Sequence, residues 1–197
     1  MIIIATVGRT GSSVLLEYLS KIGLGAGDVK WIKKFDAGME NPRVSNINHK
    51  FRKKLLHGGT LRSQEIQRQI MSLGFDVIKD PQFLVHPDII KYWIKVRTDI
   101  QVIFLTRDSH QVVSSMRRHP EMNTPAFRCF PEKIRDHEDR FLKILNRFKI
   151  KYIKLSFPDF LSQKKLIDDT VKRWGYIIKP TDEIWDMVIK PEKVHIW

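Results

Sequence analysis

The 197-residue sequence has a single cysteine, Cys129, which excludes a disulfide framework and any cysteine-based zinc centre. No apolar run approaches the ~18 residues a membrane helix needs. The apolar start, MIIIATVG, is too short for a signal-peptide core and lacks a basic leader and a cleavage site, so a cytoplasmic protein is expected. Repeats, low-complexity segments and domain boundaries are missing, which predicts one domain over residues 1–197. The Walker lysine loop GxxxxGK[ST] is absent, as are RRM, KH and zinc-finger signatures, so nucleic acid is not an expected partner. A basic tail is absent too, because the positive surplus is spread evenly over both halves of the chain.

What the chain does have is charge. It carries 35 Lys+Arg against 22 Asp+Glu, a net +13, with a pI near 9.9. Such a balance suggests an anionic partner without naming it: nucleic acid, polyanion, membrane surface or a phosphorylated small molecule. Local clusters fall at Lys30/Lys33/Lys34, at Lys50/Arg52/Lys53/Lys54 and at Arg117/Arg118. Each also fits an ordinary solvated face.

Four short β-type runs are predicted: Ile2–Thr6, Phe75–Ile78, Gln101–Thr106 and Lys151–Leu155. The first and third are nearly all apolar, as in strands covered on both faces; the other two mix in charge and belong nearer an edge. Helical periodicity marks Ser13–Ile22, Leu61–Leu73, Asp88–Val96, Gln111–Arg118 and Pro131–Phe148. Alternation of this kind predicts an α/β fold of three layers, α/β/α, around a mostly parallel sheet of four or five strands. Gly23–Gly59 shows no convincing period apart from a short candidate strand, Val29–Phe35, and reads as a long functional excursion. His119–Phe130 is a second irregular stretch.

Three motifs carry chemistry, each at a strand end. Val7-Gly8-Arg9-Thr10-Gly11-Ser12-Ser13 lies between an apolar strand and an amphipathic helix, where backbone N–H groups and the helix dipole converge on an anion. Gly8 and Gly11 allow positive φ, Arg9 adds a fixed cation, and Ser12 and Ser13 are suited to capping the helix. Arg107 follows the third strand, where ligands of open α/β sheets bind, with Ser115 eight residues on; it is the one arginine of this chain with a serine at that spacing. Lys79-Asp80-Pro81 ends the second strand and aims a lysine at the same edge.

Together these elements resemble the PAPS-dependent sulfotransferases, in the compact form of bacterial or Golgi-type catalytic cores with a P-loop-like fold. VGRTGSS is similar to the family's 5′-phosphosulfate loop, RDSHQVVSS to its 3′-phosphate motif, and VIKDP to the Lys-Asp-Pro element of many bacterial members. LSFPDFL and DDTVKRWGY are similar to its Tyr-Glu-Asp-Leu region and the following helix, so the likeness runs from Ile2 to about Ile177. The resemblance implies that Gly8, Arg9, Thr10, Gly11, Ser12 and Ser13 hold the 5′-phosphosulfate of 3′-phosphoadenylyl sulfate (PAPS). It implies that Arg9 neutralises the bridging oxygen, that Arg107 and Ser115 hold the 3′-phosphate, and that Lys79 reaches the sulfonate. The implied reaction is in-line sulfonate transfer to a hydroxyl or amine, with adenosine 3′,5′-bisphosphate as product and no metal.

The general base stays open among Asp80, Glu17, Glu40, His49 and His57, since Pro81 stands where cytosolic members place a histidine. The C-terminal Arg-Lys-Gly element of those members is missing; Lys190–Trp197 is a basic segment in its place without a motif. The acceptor, a small molecule or a glycan, must be met by Gly23–Gly59, Pro81–Pro87 and His119–Phe130, and the basic excursion is compatible with an acidic one. Three alternatives remain: a nucleotide-dependent kinase-like or phosphatase-like enzyme, a non-catalytic nucleotide- or polyanion-binding domain, and a sulfotransferase relative that has lost catalysis.

Overall fold

The computed structural model describes residues 1–8, 10–29, 40–57, 63–118 and 130–189. Arg9, the candidate strand beyond Val29, most of His119–Phe130 and the segment 190–197 lie outside the described residues. Four strands, β1 (Ile2–Ala5), β2 (Val77–Lys79), β3 (Gln101–Thr106) and β4 (Lys151–Ser156), form one parallel sheet in the order β2-β1-β3-β4. The two apolar runs are the central strands and the two charge-bearing runs are the edges, as their composition predicts. Ile3 pairs with Ile78 on one side and Val102 on the other, and Val102 pairs with Tyr152.

Side-chain alternation divides the core in two. Ile3, Ala5, Ile78, Val102 and Phe104 face a layer built from α2 (Pro42–His57), α3 (Ser63–Met71), α4 (Gln82–Val85), α5 (Ile89–Val96), α6 (Ser109–Arg117) and α7 (Pro131–Arg147). Ile2, Ile4, Val77, Ile103 and Leu105 face α1 (Ser12–Lys21), α8 (Lys164–Arg173), α9 (Asp182–Val188) and the 3-10 turn Asp159–Ser162. The result is the three-layer α/β/α arrangement expected from the pattern. Among the described residues no helix is long and apolar enough to cross a membrane.

Two expectations need correction. Much of the supposed excursion is α2, and its buried stripe, Val44, Ile47, Asn48 and Phe51, has helical spacing. One of the four stripe positions is an asparagine, which disguises the period. Asn48 is fully buried because its Oδ1 accepts a hydrogen bond from the Trp93 indole N–H at 2.8 Å. Asn41-Pro42, which looks like a loop, starts the helix: Asn41 Oδ1 accepts from Arg43 N–H (2.9 Å) and proline takes the first helical position. The second correction is β2, which starts two residues later and ends one residue later than the expected Phe75–Ile78. Phe75 instead packs over Gly27, and the Asp76 side chain accepts from Gly25 N–H at 2.9 Å. Lys79 is thereby the last residue of the strand itself.

Candidate functional site

Parallel strands put all their carboxyl ends on one edge, and the candidate residues gather there. At the end of β1 the buried hydroxyls of Thr6 and Thr10 hydrogen-bond to each other, and Gly8 N–H donates to Thr6 Oγ1 at 3.2 Å. Thr10 is therefore a brace of the loop. Gly8 (φ 90°) and Gly11 (φ 74°) both adopt backbone conformations that favour glycine. At Gly11 space is equally restrictive: an added Cβ would lie 2.8 Å from Phe157 Cδ2.

Gly11 is also the N-cap of α1, and no side chain caps the helix. Ser12 and Ser13 stand inside its first turn, so the expectation that they cap α1 does not hold. A glycine cap has no side-chain oxygen to offer, and the N–H groups of a helix's first turn have no intrahelical acceptor. That leaves a helix N-terminus with its dipole directed at the sheet edge, suited to an anion.

Lys79 connects the Lys79-Asp80-Pro81 motif to this loop. Its Nζ donates to Ser13 Oγ at 3.0 Å, and the residue is 3% exposed. Burial lowers the Lys79 ammonium to about 8, with the nearby Glu40 and Asp80 carboxylates opposing the shift. Glu40, just ahead of α2, is pushed above the ordinary carboxyl range by burial and by the Asp80 charge, with Lys79 pulling the other way. Among the candidate bases, Glu40 and Asp80 both lie in electrostatic reach of Lys79. His49 and His57 lie on the exposed side of α2, and Glu17 is half-buried on α1.

Asp80 differs from Glu40 in access. It is 1% exposed and its Oδ1 accepts Gln82 N–H at 2.8 Å, which starts the short turn of α4. Burial raises its carboxyl, and the neighbouring Ser45 and Asn48 favour the ionised form. Asp80 Oδ2, Ser45 Oγ and Asn48 Nδ2 are nonetheless buried without a hydrogen bond of good geometry. This polar patch under Lys79, with its two partners from α2, has no signature in the linear sequence.

Arg107, half-buried just beyond β3, donates from Nε to Gln111 Oε1 at 3.1 Å. Its guanidinium lies 4.8 Å above the Phe157 ring, a cation–π contact. Asp108 caps α6 by accepting Gln111 N–H at 2.9 Å, and Ser115 is half-buried two turns along that helix. Phe157 is the residue that sequence reasoning missed. Its N–H donates to Thr106 O at 2.8 Å, and its ring touches both Gly11 and Arg107. An aromatic immediately after an edge strand was the available signal. The structure thus brings the β1 loop, Lys79 and Arg107 to one edge, with Phe157 as the wall shared by the loop and Arg107.

No protein-family model and no curated protein sequence matches the chain. Solved structures do. The sulfotransferase domain of the Synechococcus olefin synthase is similar with a TM-score of 0.57 and 14% identity, over 99% of this chain and 78% of that one. The sulfotransferase domain from the curacin biosynthetic pathway is similar with a TM-score of 0.57 and 12% identity, over 98% and 78%. The fold is that of sulfotransferase domains.

Proposed function

We propose that this protein is a sulfotransferase that takes a sulfonate from PAPS and delivers it to a hydroxyl or amine. The observation that carries the proposal is the Lys79–Ser13 hydrogen bond at the uncapped N-terminus of α1. That hydrogen bond brings a buried cation to the first turn of a helix whose N-terminal dipole faces the same strand edge of a sulfotransferase fold. PAPS supplies a sulfonate joined to a 5′-phosphate through an anhydride oxygen, so breaking that S–O bond leaves charge on the phosphate.

The chain's own residues fit this task. First-turn amides of α1 with Ser12 and Ser13 bind the 5′ group, and the Lys79 ammonium balances charge as it builds on the leaving oxygen. Arg9, from the same loop, is proposed to add a second cation. Arg107, oriented by Gln111 and Phe157, binds the 3′-phosphate through its planar fork, with Ser115. Glu40 accepts the proton released by the attacking acceptor, because it is less buried than Asp80 and its raised carboxyl suits a general base. Asp80 acts as a positioning residue, linking the end of β2 to α2.

Calorimetric titration tests the proposal. Adenosine 3′,5′-bisphosphate is expected to bind without added metal and at least ~10-fold more tightly than ADP, and Arg107→Ala is expected to erase most of that preference. Equal affinity for the two nucleotides, or none for either, would refute it.

A further inference from the structure

One concentration of charge is not used by the donor site. His86 closes the short helix α4, seven residues beyond Lys79, and is half-buried. Arg52 from α2, and Lys133 and His137 from α7, all lie within electrostatic reach of it. Arg52 is one helical turn, about 6 Å, beyond Asn48, which borders Asp80. Lys133 and His137 are four residues apart, on one face of α7 near its start. Positive or protonatable groups from α2 and α7 are therefore gathered around the residue that closes α4.

Acidic residues nearby do not neutralise the cluster. Asp88 is occupied by Lys91 and by Arg140, the latter at 2.9 Å, and Glu132 pairs with Arg135. Asp136 favours the charged form of His137, against Lys133 and Arg140, which disfavour it. Among the described residues neither Arg52 nor Lys133 forms a salt bridge, and His137 Nδ1 is buried without a hydrogen-bond partner. Burial and the surrounding cations hold both histidines below their ordinary value. Arg52 and Lys133 thus leave positive charge without a paired carboxylate beside two imidazoles whose charged form is disfavoured. An anion there would offset that charge, favour protonation of the rings and supply the missing partner for His137.

We propose that Arg52, His86, Lys133 and His137 form a second anion site, for a carboxylate or sulfate carried by the acceptor. That assignment to an acceptor rests on the sulfotransferase reading, whereas the anion site itself does not. The three segments expected to meet the acceptor supply or adjoin its members: Arg52 comes from the first, His86 from the second, and α7 follows the third. Its substrates are then acidic alcohols or amines, such as uronic acids or already sulfated sugars, held so that the uncharged nucleophile faces Lys79.

The test follows the ring protons of His86 and His137 by NMR in the full chain, assigned with His86→Gln and His137→Gln. Methyl β-D-glucuronide tests the carboxylate, methyl glucoside 6-sulfate the sulfate, and methyl β-D-glucoside is the neutral control. An anion bound at the site raises the pKa of at least one of the two rings by about one pH unit. The neutral glycoside leaves both unchanged, and the double variant Arg52→Gln/Lys133→Gln abolishes the response while keeping the thermal midpoint. Rings that ignore both anionic glycosides, or respond equally in the double variant, overturn the proposal. The nucleotide titration above is independent: binding of the bisphosphate without a histidine response sinks the anion site alone. A histidine response without nucleotide binding upholds the anion site and removes its link to sulfonate transfer.

Discussion

Replacing Lys79 by methionine tests whether the strand-end cation is held for a ligand at a cost to the fold. Lys79 is 3% exposed, and its ammonium is lowered from the ordinary 10.5 to about 8. Below about pH 8 the residue is charged in both folded and unfolded chains, and folding carries the full penalty of burying it. Between about 8 and 10.5 the folded protein has released the proton and the unfolded chain has not, so the penalty shrinks as pH rises; above 10.5 it is gone. The gap of about 2.5 pH units corresponds to about 3 kcal/mol. Urea unfolding of wild type and Lys79→Met, repeated across this window, should show the wild type gaining about 3 kcal/mol on the variant as pH rises. The same variant should lose about 10- to 100-fold in affinity for adenosine 3′,5′-bisphosphate at neutral pH, the worth of one charged hydrogen bond. A stability difference that stays flat with pH would refute the assignment of Lys79 as a buried, strained cation.

Three further outcomes follow from the same geometry. Gly11→Ala should lower Tm by about 5 °C and weaken nucleotide binding, because a left-handed alanine costs about 1–2 kcal/mol and its Cβ meets Phe157 at 2.8 Å; an unchanged Tm would contradict the close approach. The profile of kcat/KM against pH should rise as the elevated Glu40 carboxyl ionises and fall near 8 as Lys79 loses its proton; Glu40→Gln should remove the acid limb, and survival of that limb would exclude Glu40 as the base. Asn48→Ala should cost about 1–3 kcal/mol in chemical denaturation by orphaning the Trp93 indole N–H, and a neutral effect would mean that α2 is not anchored there.

What the sequence made legible depended on where information is local. Apolar runs and strand-to-helix transitions depend on neighbours in the chain, so IIIAT and QVIFLT identified the two central strands and the loop ahead of Ser12. Strand ends are local as well, which is why Lys79 and Arg107 could be singled out before any geometry was known. Burial of a polar residue is not local. Asn48 looks like a break in a helix until Trp93, 45 residues away, supplies its partner. Phe157 and Arg107 meet because β3 and β4 are neighbours in the sheet, and no spacing rule encodes that contact. The cluster of Arg52, His86, Lys133 and His137 likewise draws on α2, the end of α4 and α7, and in the sequence it is four residues in three separate stretches.

The central claim is that one edge of this sheet holds a single nucleotide at both ends. A crystal structure with adenosine 3′,5′-bisphosphate tests it most directly. The account predicts the 5′-phosphate at the first-turn N–H groups of α1 and Lys79 Nζ, with the 3′-phosphate on the Arg107 guanidinium beside Phe157. A nucleotide bound away from the α1 N-terminus, or one whose 3′-phosphate faces solvent while Arg107 keeps its contacts with Gln111 and Phe157, would contradict it.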